Sequence, residues 1–266
     1  MISQPHETYR QEPPVLLSIV TIVKDVIGRR RETAFRNCVD SVAMQTFPGI
    51  EHLIVDGGST DGTVEMLTRL SEEQPGAFRW ISEPDDGIYD AINKGLKLCT
   101  GDIIGTCFDH FADETVLARM VEIMEREGTD GVHGDLCYMD GDRVVRKWHQ
   151  GQGHIRSGWM PGHPTLYLRK EVYDSYGYYR TDYRISGDYE FMVRILYKDK
   201  VKLSYIPEVL VYMSHGGTST NSLGAYVESM LEGHRALKEN GVHFAWFTDL
   251  CRVFRVLSQF GTARGE

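Results

Sequence analysis

The first side chains that could do chemistry lie directly after an apolar run that ends at Val55. Asp56 follows this run, and then come two glycines, beginning with Gly57, and a Ser-Thr-Asp sequence of helix-capping residue types. This order predicts a strand, a tight loop and a helix start, the usual place for an α/β protein to hold a nucleotide. It matches neither the dinucleotide pattern G-x-G-x-x-G nor the Gly-Lys-Ser/Thr of a P-loop. Because the Asp56 carboxylate would repel phosphate, we expect it to face a base or a ribose.

A second polar block has the sequence SEPDDGIYDAINKG. Asp86 can cap a helix that starts after Gly87, and Asn93 and Lys94 lie about two turns into that helix. A lysine behind an acidic cap can offset the charge of a diphosphate. The same pattern is typical of a well-capped surface helix. The block alone therefore does not decide between a diphosphate-binding role and a purely structural one.

Three further groups of polar residues stand where chemistry is possible. Asp109 and His110 follow an apolar run, and His163 is held before a proline, which restricts its backbone to extended conformations. Asp188 and Glu190 lie at the start of a helical pattern. Each group also has an ordinary structural interpretation as a turn residue, a structural histidine or a helix N-cap.

Strands and helices that alternate along the chain must position these residues. In the first half, β-branched runs alternate with helical stripes, which is typical of βα units on a mostly parallel sheet. In the second half, the sequence pattern predicts a strand pair and a functional loop at 151–164 that is rich in Gly, His and aromatic residues. We predict strands at 16–23, 52–55, 78–82, 102–108, 131–138, 143–148 and 201–212, and helices at 33–44, 63–70, 87–99, 114–126, 187–198 and 226–240.

Composition limits the class of protein. The 266 residues are 41% hydrophobic and 25% charged, which is ordinary for a globular protein of one domain. A net charge of −9 argues against a nucleic-acid partner. The five scattered cysteines form no C-x-x-C pair, so we expect a reduced cytoplasmic compartment. Residues 1–14 are too polar for a signal peptide, and no window approaches the roughly 18 apolar residues of a membrane span.

The motifs in their order are more specific than any one of them. VDGGSTDGT, SEPDDGIYDAINKGL, TGDIIG, PGHPT, SGDYEF and GGTS follow one another between Leu16 and Ser222. This series resembles the family 2 glycosyltransferases, inverting enzymes of the GT-A fold that use nucleotide-sugar donors. The resemblance implies a Rossmann-like, mostly parallel sheet flanked by helices. We expect a flexible tail at 1–14, a GT-A domain at 15–222 and a C-terminal helical extension at 223–266.

The resemblance also implies a reaction and a role for each candidate residue. A sugar would move from a nucleotide diphosphate, with UDP as the expected nucleotide, to a hydroxyl of a glycan or lipid-linked acceptor in surface polysaccharide biosynthesis. Asp188 matches the family's general base, His163 and Glu190 are expected on the acceptor side, and His215 is a candidate to close over the diphosphate. The residues expected to line the nucleotide sugar are Thr21, Asp56, Gly57, Asp86, Gly87, Asn93, Lys94 and Asp109.

The metal motif departs from the family pattern. Relatives usually carry adjacent aspartates after the fourth strand, whereas here the sequence GTCFDHFAD is shorter and has His110 in place of one of them. We expect a divalent metal, Mg²⁺ or Mn²⁺, and such ions prefer carboxylate oxygens, which makes Asp109 the expected ligand. His110 is a second metal ligand, a donor to phosphate or a turn residue. Asp113 is expected to cap the next helix.

The segment 244–260 carries an apolar stripe beside Arg252 and Arg255. It predicts a helix that contacts a bilayer surface, or a helix packed on its own domain or on a partner subunit, so peripheral membrane contact and an oligomer are both open.

Two other functions also stay open for the chain. One is a nucleotide-sugar-binding module that has lost catalysis, suggested by the altered Asp109–His110 turn. The other is a sugar nucleotidyltransferase, whose Gly-rich basic loop the sequence KDVIGRRR matches poorly.

Overall fold

The computed structural model describes residues 15–141, 143–214 and 223–261. Within these ranges the chain forms one mixed sheet with helices on both faces, which confirms the α/β class. The strands are β1 (Leu17–Val23), β2 (Ile50–Asp56), β3 (Arg79–Ser82), β4 (Ile103–Thr106), β5 (His110–Phe111), β6 (Gly131–Asp140), β7 (Arg143–Trp148), β8 (Tyr167–Arg169) and β9 (Leu203–Ser214). The helices are α1 (Glu32–Ala43), α2 (Thr63–Glu73), α3 (Ile88–Leu98), α4 (Val116–Glu127), α5 (Lys170–Tyr176), α6 (Gly187–Val193), α7 (Leu223–Glu239) and α8 (Ala245–Gly261).

The sheet has a parallel half and a mixed half. Its strand order is β3-β2-β1-β4-β8-β6-β9-β5, with β7 paired to β6. The first four strands in this order are parallel to one another, as the sequence predicts. β8 joins the two halves because it pairs antiparallel with both β4 and β6. In the second half β6 and β9 are parallel, whereas β7 and β5 add antiparallel pairs.

Both faces of β1 are buried, which places it at the centre of the molecule. Leu17 and Ile19 pack in a core cluster with α1 and α4, whereas Val20 packs in a second cluster with α3, α5 and α6. Gly95 allows α3 to approach β1 closely, because a Cβ atom there would overlap the Val20 side chain. Because β1, β2 and β4 are parallel, the loops that follow them meet at one edge of the sheet, where open α/β folds bind ligands.

Sequence patterns missed three short elements, β5, β8 and α5. β5 and β8 have two and three residues, and their hydrogen bonds come from strands distant in sequence, so no local pattern marks them. The predicted helix at 187–198 is α6 followed by a π-helical turn at Arg194–Lys198. The predicted loop at 151–164 contains a 3-10 turn at Ile155–Ser157 and meets a second at His163–Thr165.

The C-terminal helices pack on α6. Leu237 of α7 and Ala245 of α8 share a core cluster with Tyr189 and Val193 of α6. The described part of α7 and α8 is thus joined to the helix that carries Asp188. In the described ranges no helix is both long and apolar enough to cross a membrane.

Candidate functional site

Asp56 ends β2 and organises the loop that follows. Its side chain is buried, and Oδ2 accepts hydrogen bonds from the backbone N–H groups of Gly58 at 3.1 Å and Ser59 at 2.9 Å. The hydroxyl of Ser82 on β3 donates to the same oxygen at 2.7 Å, and the Ser59 hydroxyl donates to Oδ1 at 2.5 Å. The carboxylate is thus satisfied inside the protein, and a nucleoside would reach it only by exchange with these donors.

Lys24 is a cation at this edge that sequence reasoning considered only as part of the basic segment KDVIGRRR and not as a donor-site residue. Val23 at the end of β1 is in register with Asp56, so Lys24 lies beside Gly57. The Lys24 Nζ atom lies 3.3 Å from Oδ1 of Asp85, and a Cβ atom on Gly57 would overlap the Asp85 carboxylate. The sequence signal for Lys24 was its position directly after a buried strand, because the end of a buried strand is also what singled out Asp56.

The start of α3 presents a turn to solvent. Asp86 is exposed, and its backbone N–H donates to Oδ2 of Asp90 at 3.1 Å. Gly87 has φ +126°, a conformation that favours glycine, and its N–H donates to Oδ1 of Asp85 at 3.1 Å. The two residues therefore form a Gly-dependent turn at the sheet edge, next to Gly57.

Asn93 and Lys94 are both engaged by protein groups. The Asn93 amide donates to the Tyr179 carbonyl at 2.7 Å and accepts from the Tyr179 N–H at 3.0 Å, so it joins α3 to the segment before α6. Lys94 Nζ lies 3.1 Å from Asp90 and 3.4 Å from Glu83. Its charge is therefore balanced locally by two carboxylates.

Thr21 lies inside the sheet. Only 2% of it is exposed, and its hydroxyl donates to the Cys107 carbonyl at 2.8 Å and lies 2.9 Å from Nε2 of His52. These contacts connect β1 to β2 and to the segment after β4. The hydroxyl has an internal role, and its contact with a nucleoside stays a prediction.

Asp109 and His110 form a pair at the start of β5. Oδ1 of Asp109 lies 2.9 Å from Nδ1 of His110, and Oδ2 accepts the Ser214 N–H at 2.5 Å. Burial alone raises the pKa of Asp109, but the hydrogen bonds from His110 and Ser214 outweigh it and leave the pKa below its usual value. The imidazole is partly exposed and packs 5.5 Å from the Tyr212 ring.

The Asp109–His110 pair has the donor atoms that a divalent metal could use. It offers an ionised carboxylate and an imidazole side by side, and the described residues contain no group of three or more His, Cys, Asp or Glu that could hold a metal alone. Mg²⁺ and Mn²⁺ often take one or two protein ligands and complete their coordination with phosphate oxygens and water. Asp109 and His110 therefore fit an ion that arrives with a diphosphate. Asp113 closes a turn ahead of α4, because Oδ1 accepts the Thr115 N–H and the carboxylate pairs with Arg119. It is not the cap expected from the sequence, since Thr115 occupies the N-cap position and α4 has no side-chain cap hydrogen bond.

Asp188 lies in the first turn of α6 with its carboxylate partly exposed. Oδ1 accepts hydrogen bonds from the Tyr89 hydroxyl at 3.1 Å and from the Tyr189 N–H at 2.8 Å. In the described residues Oδ2 has no hydrogen-bond partner. One oxygen is thus held in place and the other is available to a ligand.

His163 lies near Asp188 and is buried. Its Nε2 atom lies 2.8 Å from the Tyr179 hydroxyl, and its ring stacks on Phe108 with centroids 5.8 Å apart. Burial lowers the pKa of His163, although the Asp188 charge raises it in part, so the ring is neutral near pH 7. The aromatic cluster under Asp188 is therefore rigid and uncharged.

Glu190 is buried and engaged by protein groups. It is 1% exposed and forms an ion pair with Arg194, with Oε1 at 3.1 Å from Nε and Oε2 at 3.2 Å from Nη2. Asn240, directly after α7, donates to the same carboxylate at 3.2 Å. The carboxylate thus joins α6 to the end of α7, and its burial between Arg194 and Asn240 argues against the acceptor-side role expected from the sequence.

A guanidinium on β7 lies between two aromatic rings. Arg146 lies 4.9 Å from the Tyr138 ring centroid and 5.5 Å from that of Trp148. Burial raises the pKa of the Tyr138 hydroxyl, the charge of Arg146 lowers it in part, and the charge of Asp188 raises it. The Tyr138 and Trp148 rings pack against the core cluster that contains α1 and α4. No sequence signal marked Arg146, because its pairing with Tyr138 depends on the β6–β7 register. His215 lies outside the described residues.

Comparison with known proteins agrees with this architecture. Residues 18–188 match the family model described as glycosyl transferase family 2, and the chain belongs to this family. It is a glycosyltransferase. A PGL/p-HBAD biosynthesis glycosyltransferase of Mycobacterium bovis is 28% identical over 196 residues, covering 68% of this chain and 72% of that protein.

Two solved structures show the same fold at low sequence identity. S. aureus TarS 1-349 in complex with UDP-GlcNAc superposes with a TM-score of 0.66 at 15% identity, covering 93% of this chain and 74% of that one. The mannosyltransferase PcManGT from Pyrobaculum calidifontis, in complex with GDP-Man and Mn²⁺, gives a TM-score of 0.61 at 14% identity, with coverages of 96% and 77%. These matches confirm the GT-A fold.

Proposed function

We propose that this glycosyltransferase moves a sugar from a nucleotide diphosphate, with UDP as the nucleotide, to a hydroxyl of a glycan or lipid-linked acceptor, with inversion. The observation that carries the proposal is the Asp188 carboxylate, whose Oδ1 is fixed by Tyr89 while Oδ2 has no partner in the described residues. A general base needs this combination of a fixed orientation and an available lone pair.

In the proposed reaction Oδ2 of Asp188 takes the proton of the acceptor hydroxyl. The acceptor oxygen then forms a bond to the anomeric carbon while the bond from that carbon to the diphosphate oxygen breaks, and the diphosphate leaves with the electron pair. Attack from the opposite face converts an α-linked donor into a β-linked product. One base suffices, because the diphosphate leaves as an anion and needs no protein acid.

The donor is proposed to lie at the sheet edge formed by the loops after β1, β2 and β4. Gly57, Asp86 and Gly87 supply closely approaching backbone, Asp56 exchanges a loop donor for the nucleoside, and Lys24 lies beside them. Asp109 and His110 are the residues that would hold a divalent metal, which supplies positive charge to the departing diphosphate. Because Asn93 and Lys94 are engaged by protein groups, we assign them to shaping this edge.

The acceptor is proposed to approach from the β6–β7 side. Tyr138 and Trp148 lie around the guanidinium of Arg146 on these strands, and aromatic faces can bind sugar rings. We assign His163, which is buried, to the structural support of this acceptor side. Surface polysaccharide biosynthesis in the cytoplasm remains our proposal for the setting, and the name of the M. bovis relative supports a biosynthetic role.

A panel of nucleotide sugars tests the donor. We expect one UDP-sugar with Mn²⁺ to raise the melting temperature most, because ligand that binds only the native state stabilises it in proportion to occupancy. NMR of the product from that donor should then show a β-anomeric linkage. A product with retained configuration would exclude the single-base mechanism.

A binding module without catalysis is the second candidate, and the internal bonds of Asp56, Lys94 and Asp109 are the observation that favours it. Donor turnover separates the two candidates. Release of UDP from the stabilising donor across several metals supports the enzyme, whereas stabilisation without release supports the module. Membership of a glycosyltransferase family argues against the sugar nucleotidyltransferase alternative.

A further inference from the structure

An apolar surface surrounds the start of α8. Trp246, Phe247, Leu250 and Phe254 are between 47% and 64% exposed, and their spacing places them within about one third of the helix circumference. Phe244, directly before the helix, is 67% exposed. We call these five residues the aromatic surface. Apolar groups that are exposed together in this way usually mark a binding surface.

A cavity of about 710 Å³ lies against the aromatic surface, and the guanidinium of Arg156 gives its rim a positive charge. Arg156 and the histidines His154 and His243 are exposed there, and the lining contains no Asp or Glu. The chain as a whole has a net charge of −9. The charge at the rim is thus positive whereas the net charge of the chain is negative, and a positive rim complements an anionic partner.

The carboxylate of α8 lies away from this side of the helix. Asp249 is mostly buried, at 2.6 Å from Nδ1 of His234 and 3.2 Å from Nη1 of Arg252. It is the one acidic residue in the sequence of α8. The aromatic surface therefore combines exposed rings with a neighbouring cation, and α8 adds no negative charge to it.

The aromatic surface is also fixed relative to the proposed base. Arg255 donates to the Ser157 carbonyl at 3.0 Å, which joins α8 to the turn that carries Arg156. The guanidinium of Arg252 stacks on the Tyr189 ring at 3.8 Å, and Tyr189 is adjacent to Asp188 in α6. A partner bound at the aromatic surface would therefore be held in a defined orientation relative to Asp188.

We propose that the aromatic surface docks the protein on the surface of a bilayer that contains anionic lipids. Trp and Phe side chains partition into the headgroup region, and a neighbouring cation gains energy from lipid phosphates. A second copy of the chain fits less well, because a two-fold contact would place the Arg156 rim against the same rim. The inference goes beyond the proposed function, since neither the donor site nor Asp188 needs such a surface.

Vesicle sedimentation of the full chain tests the proposal. We expect binding to vesicles that contain phosphatidylglycerol, weaker binding to pure phosphatidylcholine and a decrease with added salt. The double variant W246E/F247E should lower the partition coefficient by at least about tenfold. Met44→Glu is the matched control, because Met44 is 67% exposed on the C-terminal side of α1, and it should bind like the unmodified chain.

Absence of binding to the anionic vesicles, or equal binding by W246E/F247E, would overturn the proposal. Light scattering adds a second outcome: a dimer that W246E/F247E dissociates, without vesicle binding, would assign the aromatic surface to a second copy and also overturn it. Melting temperature and UDP affinity, measured on the same samples, check folding and the donor site separately. Failure on vesicles with intact UDP binding would therefore leave the proposed function standing.

Discussion

The hydroxyl of Tyr89 lies 3.1 Å from Oδ1 of Asp188 and 2.6 Å from the Ile185 carbonyl. This contact joins α3, which begins at the proposed donor edge, to α6, which carries the proposed base. Burial raises the pKa of Tyr89, and the charge of Asp188 raises it further, so the hydroxyl keeps its proton. That one proton is shared between the Ile185 carbonyl and Oδ1 of Asp188. Tyr89 is therefore a positioning residue for Asp188.

Removal of this hydroxyl should slow transfer with little effect on donor binding. In Tyr89→Phe the ring still fills its space between α3 and α6, but Oδ1 of Asp188 loses one of its two donors. We expect kcat to fall about tenfold, the scale of a hydrogen bond to a charged group. Steady-state kinetics and UDP calorimetry measure the two effects. A loss in UDP affinity with normal kcat would show that Tyr89 acts on the donor instead.

Replacement of Asp109 should remove the metal-dependent part of UDP binding. Asp109→Ala leaves His110 as the one protein ligand of the pair, so calorimetry with Mn²⁺ should give the weak affinity that a chelator produces in the unmodified protein. Asp113→Ala is the control, because Asp113 pairs with Arg119 and accepts the Thr115 N–H in the turn before α4. Equal metal dependence in both variants would exclude Asp109 as a ligand.

Glu190→Ala should reduce stability and leave the chemistry intact. It would leave the guanidinium of Arg194, whose side chain is 14% exposed, without its carboxylate partner. Breaking a buried ion pair in this way costs about 3 kcal/mol, measurable as a lower free energy of unfolding in urea. Under native conditions kcat and the acceptor KM should change little. A large rise in the acceptor KM at unchanged stability would restore Glu190 to the acceptor side.

His52 should make stability depend on pH. Burial lowers its pKa from 6.5 to about 3, so the unfolded chain binds the proton first as the pH falls. Its contribution to stability is complete above about pH 6.5 and is lost progressively toward about pH 3. Between about pH 7 and pH 5 this loss is about 2 kcal/mol. His52→Gln should flatten that part of the urea-derived profile, and an unchanged slope would show that another group is responsible.

The sequence predicted the parallel half of the fold because its signals are local. The apolar runs before Asp56 and Asp109 and the stripe of α3 depend on neighbouring residues alone, so β2, β4 and α3 appear where expected. β8 could not be predicted, because its three residues are strand only through pairing with β4 and β6. The long-range pairs set the second half of the sheet.

In the candidate site, too, local sequence predicts some features and long-range contacts decide the others. Residue type and order located Asp56, Asp109 and Asp188, but partners decide what each can do. Lys94 was expected to balance diphosphate charge, and two carboxylates already balance it. Arg146 gave no signal in sequence, because its position between two rings follows from the β6–β7 register. Contacts across the fold, which no local pattern encodes, separate the reactive side chains from the structural ones.

The role of Asp188 is the central claim, and the Asp188→Asn variant tests it most directly. UDP release from the stabilising UDP-sugar, with acceptor present, should fall by about 10² to 10⁴-fold relative to the unmodified protein, the range for loss of a general base. UDP affinity and melting temperature should stay unchanged, and Glu122→Gln on the exposed side of α4 is the matched control. Transfer by Asp188→Asn at close to the normal rate would contradict the assignment of the base.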